Sequence, residues 1–202
     1  MTDGVIHREH RKLFAGKPID VFARLLLGIL DMPHAVRHPA TFSEEQLLVE
    51  CSRRTTRRTG PGGQHRNKVE TAVVLKHIPT GIRAEANESR SQAQNGKSAL
   101  FRLRQSLAEQ IRYPVELHSP PSELWRSRTS RRKLAVSDDN SNFPALLAEA
   151  LDRVVVHEFD LTAAAEALQI STTQLVRFLQ QSPLAWQWIN SERKARSLRP
   201  LL

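Results

Sequence analysis

The residues that could do chemistry in this sequence are concentrated in one short stretch, residues 57–68, which reads RRTGPGGQHRNK. Its three glycines allow positive φ angles and a close approach of the backbone to another surface. Pro61 fixes one φ angle and removes a backbone donor, so the loop has a defined shape. Cations flank the glycines on both sides, which suits insertion into a site walled by phosphates. The pattern therefore favours a loop that enters a nucleic-acid site over an ordinary Gly-Pro turn beside a basic surface.

The stretch resembles the GGQ loop of class I peptide chain release factors and of the small peptidyl-tRNA hydrolases that rescue stalled ribosomes. Gly62-Gly63-Gln64 carry the likeness, and it continues through Ile78–Gly81 and Arg90–Gln92 at similar spacings. The likeness covers residues 47–111, about a third of the chain. Three motifs in order are far more specific than one glycine-rich loop.

The resemblance implies a hydrolase that works only on the ribosome. No nucleophile–base pair or carboxylate dyad stands out in the sequence, so the acid and base would come from the peptidyl-transferase centre. By resemblance, Gly62 and Gly63 let the backbone turn into that centre. The backbone N–H of Gln64 would stabilise the oxyanion or the leaving hydroxyl of the peptidyl-tRNA, and its side chain would admit water as the nucleophile.

The remaining site residues are expected to hold the loop or to contact RNA. Asn67 and Gln92 are expected to brace the loop from within. The cations and one histidine expected to contact ribosomal or tRNA phosphates are Arg57, Arg58, His65, Arg66, Lys68, Arg90, Arg128, Arg131, Arg132 and Lys133.

The charge distribution agrees with a central RNA-facing module. The chain has 30 Lys or Arg against 21 Asp or Glu, a net charge of +9. Residues 51–133 hold 18 of the cations and 6 of the acids, whereas the segments on either side are close to neutral. One basic module between near-neutral segments is typical of a nucleic-acid-binding protein.

Other classes of protein are disfavoured. The single cysteine, Cys51, leaves no internal disulfide and no cysteine metal cluster. His34 and His38 are four apart, but flanking prolines argue against a helix that presents both to a metal. The apolar run Val21–Leu30 is too short for a membrane span and contains Arg24. We expect a cytoplasmic monomer with no metal and no cofactor.

Residues 41–117 are predicted to form the GGQ catalytic domain, a small α+β fold in which one helix packs on a sheet. Ser43 and Gln46 form a capping box before a short helix. The predicted strands are Ser52–Arg57, Thr71–His77 and Ile82–Asn87, the last two forming a hairpin whose turn ends at Gly81. After Ser91, a helix covers the hairpin with the apolar stripe Leu100, Leu103, Leu107 and Ile111.

Residues 118–133 are predicted to be a basic Pro/Arg/Ser linker with two readings. Five cations beside Trp125 could grip RNA by phosphate contact and base stacking. Equally, the segment could be a solvated linker with Trp125 packed on the neighbouring domain.

Residues 134–202 are predicted to form an all-α module. Within it, Leu161–Gln180 reads as a helix-turn-helix with the core Ala165, Leu168, Ile170 and Leu175. A net charge of −2 and Gln169 in place of a turn glycine argue against DNA recognition. Docking on the ribosome, on a protein or on the basic domain is the expected role.

Residues 1–40 are predicted to be an N-terminal extension that either forms one helix over Ile19–Leu30 or is partly disordered, with Met32 as a second candidate start. No codon-reading element is recognisable in the roughly 50 residues before the loop, so codon-independent rescue of stalled ribosomes is the expected activity. Three alternatives stay open: peptide release from damaged ribosomes, a non-catalytic ribosome- or RNA-binding protein, and a DNA-binding regulator.

Overall fold

The structure, a computed structural model, describes residues 37–56 and 71–201. The predicted helix Ile19–Leu30 and the alternative start at Met32 lie outside the described residues, as does the stretch 57–70. Within the two described ranges, no helix is long and apolar enough to cross a membrane.

A three-stranded antiparallel sheet forms the first part of the fold. Its strands lie in the order β1 (Cys51–Thr56), β2 (Ala72–His77) and β3 (Arg83–Ala86). β2 is central, and its side chains Val73, Leu75 and His77 are buried. The predicted β2–β3 hairpin is confirmed, since Gly81 adopts a φ of 75° and donates its N–H to the His77 carbonyl at 2.8 Å. Only glycine adopts such a φ angle without a steric penalty.

Two helices complete this part of the chain. α1 (Glu44–Val49) begins with the predicted capping box, in which Ser43 Oγ accepts from Gln46 N–H at 3.2 Å and Gln46 Oε1 accepts from Ser43 N–H at 3.0 Å. α2 (Gln92–Gln110) packs against β2 and β3. Its predicted apolar stripe is confirmed: Leu100, Leu103 and Leu107 are buried, and Ile111 follows as the half-buried C-cap.

The rest of the described chain is mainly helical and shares its core with the sheet. Its helices are α3 (Glu123–Arg128), α4 (Phe143–Val156), α5 (Leu161–Ala167), α6 (Thr172–Gln180) and α7 (Pro183–Ala195). α4 packs along α2, so α2 contacts both the sheet and the helical region. Buried apolar residues form one continuous cluster from Val73 in β2 to Ile189 in α7. The α+β class, a small sheet with a packed helix and then a run of helices, is confirmed.

The helix-turn-helix pair α5–α6 is formed as predicted. Asp160 caps α5 by accepting the N–H groups of Thr162 at 2.8 Å and Ala163 at 3.2 Å. At the other end of α5, Gln169 adopts a φ of 58° and Ile170 donates its N–H to the Ala165 carbonyl at 3.0 Å. This arrangement is a Schellman motif with glutamine at the left-handed position. All four predicted core residues, Ala165, Leu168, Ile170 and Leu175, are buried.

The predicted linker 118–133 contains regular structure. After α3, a two-stranded hairpin pairs β4 (Thr129–Ser130) with β5 (Lys133–Leu134). Trp125 is fully buried, its Nε1–H donates to the Leu168 carbonyl at 2.8 Å, and its ring meets Phe178 edge-on. The base-stacking role considered for Trp125 is therefore wrong. A large apolar ring whose single donor finds a buried partner is more stable inside the protein than in water.

Candidate functional site

The stretch with the predicted catalytic residues begins and ends on paired strands. Gly62, Gly63 and Gln64 lie outside the described residues, as do Arg57, Arg58, His65, Arg66, Asn67 and Lys68. The described chain stops at Thr56, the last residue of β1, and resumes at Thr71, directly before β2. Thr56 and Ala72 are partners across the β1–β2 ladder. The two chain ends that lead into residues 57–70 are therefore held side by side by the central strand of the sheet.

The end of this stretch is fastened by Asn95, which sequence reasoning missed. Asn95 lies in the first turn of α2 and is only 1% exposed. Its Nδ2 donates to the Thr71 carbonyl at 2.6 Å and to the Ser89 carbonyl at 2.9 Å, while its Oδ1 accepts the Ser89 N–H at 2.9 Å. One buried amide thus connects the residue that follows the loop, the turn after β3 and the start of α2. Asparagine is a weak helix former, and its presence inside α2 was the one available signal.

The two residues predicted to brace the loop have different outcomes. Asn67 lies outside the described residues. Gln92 is the first residue of α2, one position after the N-cap Ser91, whose Oγ accepts the Gln94 N–H at 3.3 Å. Gln92 is therefore on the same turn of the chain as Asn95, and its bracing role stays a prediction.

We define the root of the stretch as Thr56, Thr71, Ser89 and Asn95, and three exposed cations lie on the segments that carry it. Arg90, a predicted RNA contact, directly follows Ser89 and is exposed. Arg53 and Arg54 on β1 are also exposed, and the Arg53 guanidinium lies at the N-terminal end of α2, beside Gly96. Sequence reasoning had placed Arg53 and Arg54 in a strand without a binding role. β1 is an edge strand of the sheet, so Arg53 and Arg54 add positive charge along that edge.

A second set of ties holds the turn before α2. Arg102 on α2 donates through Nη1 to the Glu85 carbonyl at 2.7 Å and to Glu88 Oε1 at 2.8 Å. The Arg102 guanidinium holds the pKa of Glu88 below its ordinary value. Both groups are about half exposed, so this pair orients the turn without adding much stability.

The other predicted RNA contacts form a separate group. Arg128 ends α3, Arg131 and Arg132 form the turn between β4 and β5, and Lys133 begins β5. Arg132 Nη2 donates to the Ile170 carbonyl at 3.3 Å, and the Arg132 carbonyl accepts the Ser171 N–H at 3.2 Å. These contacts attach the group to the turn between α5 and α6. No described hydrogen bond or ion pair links it to Asn95, Thr71 or Arg90.

An acid–histidine–hydroxyl array lies at the opposite end of the sheet. His77 Nε2 is 2.9 Å from Glu50 Oε2, and His77 Nδ1 is 2.8 Å from Thr80 Oγ1. Cys51 pairs with His77 at this end of the ladder, whereas Thr56 pairs with Ala72 at the loop end. Thr80 Oγ1 also accepts the Ile82 N–H at 3.3 Å. The array therefore fastens the β2–β3 turn to the start of β1 and is remote from the root.

Comparison with known proteins identifies the class of this fold and motif. Residues 47–142 match the profile of the RF-1 domain family. That range contains the whole sheet, α1 in part, α2 and α3, together with the Gly62-Gly63-Gln64 motif.

Individual relatives agree with this match. Peptide chain release factor 1 of Chlorobaculum tepidum is 34% identical over 141 residues, which cover 66% of this chain and 34% of the relative. The release factor 1 proteins of Symbiobacterium thermophilum and Chloroherpeton thalassium are 34% and 37% identical, covering 65% and 66% of this chain and 33% and 34% of the relative. The chain therefore carries an RF-1 domain over residues 47–142 and is similar to class I release factors in that region. It spans about a third of the length of the curated relatives it matches.

Proposed function

We propose that this chain hydrolyses the ester bond of peptidyl-tRNA inside the ribosome, and that it does so without reading a stop codon. The observation that carries the proposal is the Gly62-Gly63-Gln64 motif inside the matched range 47–142. The names of the relatives, peptide chain release factor 1, support the same activity. The substrate would be the peptidyl-tRNA in the peptidyl site, and the partner would be the large ribosomal subunit.

The proposed chemistry needs one oriented donor from this chain. Water attacks the ester carbonyl, the carbonyl oxygen becomes an oxyanion, and the terminal ribose of the tRNA leaves with a proton. The Gln64 N–H would donate to the oxyanion or to the leaving oxygen, and one such preorganised donor is worth about 3 kcal/mol of transition-state free energy. The described Glu50–His77 pair lies at the end of the sheet opposite Thr56, where it fastens a turn. It is therefore a poor candidate for proton transfer in this reaction, and groups of the ribosomal RNA and the tRNA would transfer the proton instead.

The root supports precise delivery of the loop. Thr56 and Ala72 are held by strand pairing, and Thr71 is held by the buried Asn95 amide. A loop whose two ends are anchored to rigid structure loses less conformational entropy on entering a site than a loop whose ends can move freely. The exposed Arg53, Arg54 and Arg90 would contact phosphates around the entrance.

The test is peptide release from purified ribosomes that carry a labelled peptidyl-tRNA. Three complexes are compared: a message truncated in the peptidyl site, a stop codon in the decoding site and a sense codon in the decoding site. The wild-type chain is expected to release peptide from the truncated complex. Gly63→Ala is expected to release about 100-fold more slowly because the oxyanion donor is displaced, while co-sedimentation with ribosomes is retained.

Gly96→Ala is the matched control. Gly96 is also in the RF-1 domain, but it lies in α2, and a Cβ there would meet only the flexible end of Arg53 at ordinary contact distance. This variant should release peptide at the wild-type rate. Release only at a stop codon would contradict codon independence and leave hydrolysis standing. Ribosome binding without release from any of these complexes would contradict hydrolysis on intact ribosomes. It would favour either a non-catalytic anchor or release from damaged ribosomes. Repeating the assay with ribosomes whose RNA has been cleaved would decide between these two.

A further inference from the structure

Five cations lie within eight consecutive residues at the end of α3 and on the β4–β5 hairpin. We call residues 126–134 the basic hairpin; its cations are Arg126, Arg128, Arg131, Arg132 and Lys133. No carboxylate interrupts them in the sequence, and no ion pair joins them to a carboxylate elsewhere in the described chain. All are exposed except the half-buried Arg128. Unpaired like charges repel one another, so such a group is typical of a surface that binds a polyanion.

The turn of the basic hairpin holds arginine where other hairpins hold asparagine or glycine. Ser130 pairs with Lys133, so Arg131 and Arg132 form a two-residue turn. Their φ angles are 47° and 61°, both in the left-handed region. Two-residue turns of this type strongly prefer Asn-Gly because a Cβ is disfavoured there. Strained residues of this kind persist only where the surrounding structure holds them, and they are enriched at functional sites.

The surrounding structure does hold this turn. The Arg132 carbonyl accepts the Ser171 N–H at 3.2 Å, and the Arg128 carbonyl accepts the Ala135 N–H at 3.1 Å. The buried Trp125 anchors α3 through its bond to the Leu168 carbonyl. The apex of the basic hairpin and the helix at its base are therefore attached to the helix-turn-helix pair, so the backbone that carries these cations is held in place.

The chemistry of the basic hairpin selects phosphates in preference to bases. Residues 126–133 contain no aromatic side chain, and the neighbouring Trp125 is buried. Single-stranded nucleic acids are gripped largely by stacking on exposed aromatic rings, whereas RNA duplexes are recognised by shape and by phosphate and sugar contacts. Guanidinium groups bind phosphate oxygens in a bidentate manner, and a set of them on a fixed backbone suits the regularly spaced phosphates of a duplex.

We propose that the basic hairpin is a second RNA-binding site of this chain, one that grips the phosphate backbone of double-stranded RNA. It acts separately from the loop 57–68, and within the ribosome it would hold a helix of ribosomal RNA while the loop occupies the peptidyl-transferase centre. Only the identity of the RNA as ribosomal rests on the proposed function. Attachment of the basic hairpin to the α5–α6 turn also assigns the helix-turn-helix pair a role as its support.

The first test measures binding of the full chain to RNA duplexes of about 20 base pairs, in two unrelated sequences, by fluorescence anisotropy at several salt concentrations. The triple variant Arg126→Gln, Arg131→Gln and Lys133→Gln removes exposed cations that make no described side-chain hydrogen bond. Its control removes three exposed cations of the helical region, Arg177→Gln, Lys194→Gln and Arg199→Gln. Both variants lower the net charge equally, so they differ only in position.

The basic-hairpin variant is expected to bind both duplexes at least tenfold more weakly, and the control less than twofold. The plot of log affinity against log salt should become shallower by about 2 or more for the basic-hairpin variant, since each lost phosphate contact removes about 0.9 from the slope. Equal losses for the two variants would overturn the proposal, because net charge alone would then explain binding. Equally tight and equally sensitive binding of single-stranded RNA would also overturn it.

A second variant separates binding from folding. Arg131→Asn with Arg132→Gly supplies the residues that a two-residue turn prefers, so the melting temperature should rise or stay the same while duplex affinity falls. Unchanged affinity with a raised melting temperature would overturn the proposal. The release assay distinguishes this site from the proposed function. If the wild-type chain binds duplexes through the basic hairpin but releases no peptide, only the proposed function is contradicted. Release without such binding would overturn only the RNA-binding site.

Discussion

At the scale of single residues, the side chain that connects the described fold to the predicted catalytic stretch is Asn95. Its buried side-chain amide satisfies two carbonyl groups and one N–H group of the backbone. Removing this side chain leaves those buried backbone groups without partners. The free-energy cost of an unpaired buried group is larger than the net stabilisation that one hydrogen bond provides. Asn95 is therefore expected to matter both for stability and for the position of Thr71.

Asn95→Ala should lower the free energy of unfolding by about 1–3 kcal/mol because buried polar groups lose their partners. It should also slow peptide release by about 10- to 100-fold, since small displacements of a reacting group have effects of that size. Urea denaturation and the release assay measure the two effects. Asn142→Ala is the control, because Asn142 precedes α4 without a side-chain capping bond. A stability loss without a loss of release would show that Asn95 does not position the loop.

His38 is a second buried polar residue, and its ring connects the segment before α1 to the C-terminal end of α2. Its Nδ1 accepts the Ala40 N–H at 3.0 Å, so its Nε2 carries the proton that is donated to the Ile111 carbonyl at 3.2 Å. Burial lowers the pKa of His38 to about 3. Below the unfolded-state pKa of about 6.5, the unfolded chain takes up a proton that the folded chain refuses, so stability falls as the pH falls.

The contribution of His38 should reduce the free energy of unfolding by about 2 kcal/mol between pH 7 and pH 5. His38→Asn keeps an acceptor for the Ala40 N–H but does not titrate. It should be less stable than the wild type at pH 7 and should lose less stability on going to pH 5. Asp152 acts in the opposite direction, since burial raises its pKa to about 7 and its contribution is lost as the pH rises through that value. The difference between variant and wild type isolates His38, and parallel pH profiles would contradict the assignment.

At the scale of elements, the turn between α5 and α6 carries a residue that its backbone disfavours. Gln169 is exposed, and its φ of 58° is one that glycine adopts most readily. Gln169→Gly should raise the free energy of unfolding by a net amount of about 0.5–1 kcal/mol. The steric penalty of the left-handed angle disappears, and the greater entropy of glycine in the unfolded chain offsets part of that gain.

The matched control is Gln187→Gly, at an exposed position inside α7. Here glycine should lower the free energy of unfolding by about 1 kcal/mol because the backbone is already helical. Thermal unfolding of the two variants measures both changes. If both substitutions destabilise equally, the Schellman geometry at Gln169 does not set the stability of this turn.

At the scale of the whole described molecule, α2 and the residues directly after it are tied to the helical region by polar as well as apolar contacts. Arg112 Nη1 lies 3.6 Å from Asp152 Oδ1 on α4, and the same oxygen accepts the Tyr113 N–H at 3.0 Å. The Arg112 guanidinium also stacks 4.9 Å from the ring centre of Trp188 on α7. Ser182, at the start of α7, donates to Glu109 Oε1 on α2 at 2.8 Å. Loss of either partner of the buried pair would leave an uncompensated charge.

This shared core predicts one cooperative unfolding transition for the RF-1 domain and the helical region. Tryptophan fluorescence reports on the helical region, since all three tryptophans follow residue 124, whereas circular dichroism reports on the whole chain. The two urea profiles should coincide. Two separated transitions would contradict the shared core and would favour the predicted division into a catalytic domain, a linker and an independent helical module.

Local patterns in the sequence were sufficient for the elements and for the motif. The Ser43–Gln46 capping box, the glycine of the β2–β3 turn and the apolar stripe of α2 each depend on residues a few positions apart, and all were predictable. The Gly62-Gly63-Gln64 motif is read in the same way, from residue type and spacing. The bond that holds Thr71 could not be predicted in that way, because Asn95 reaches Thr71 across 24 positions of sequence.

The sequence by itself determined the fold class, the motif and the positive charge of the central third. Only the tertiary structure decided that Trp125 is buried, that Asn95 fastens the root and that Arg131 and Arg132 adopt left-handed angles against the α5–α6 turn. The physical reason is the range of the interactions. Helix caps, turns and apolar periodicity are set by local backbone geometry, whereas burial of one side chain and strain at another depend on which distant segments the core brings together.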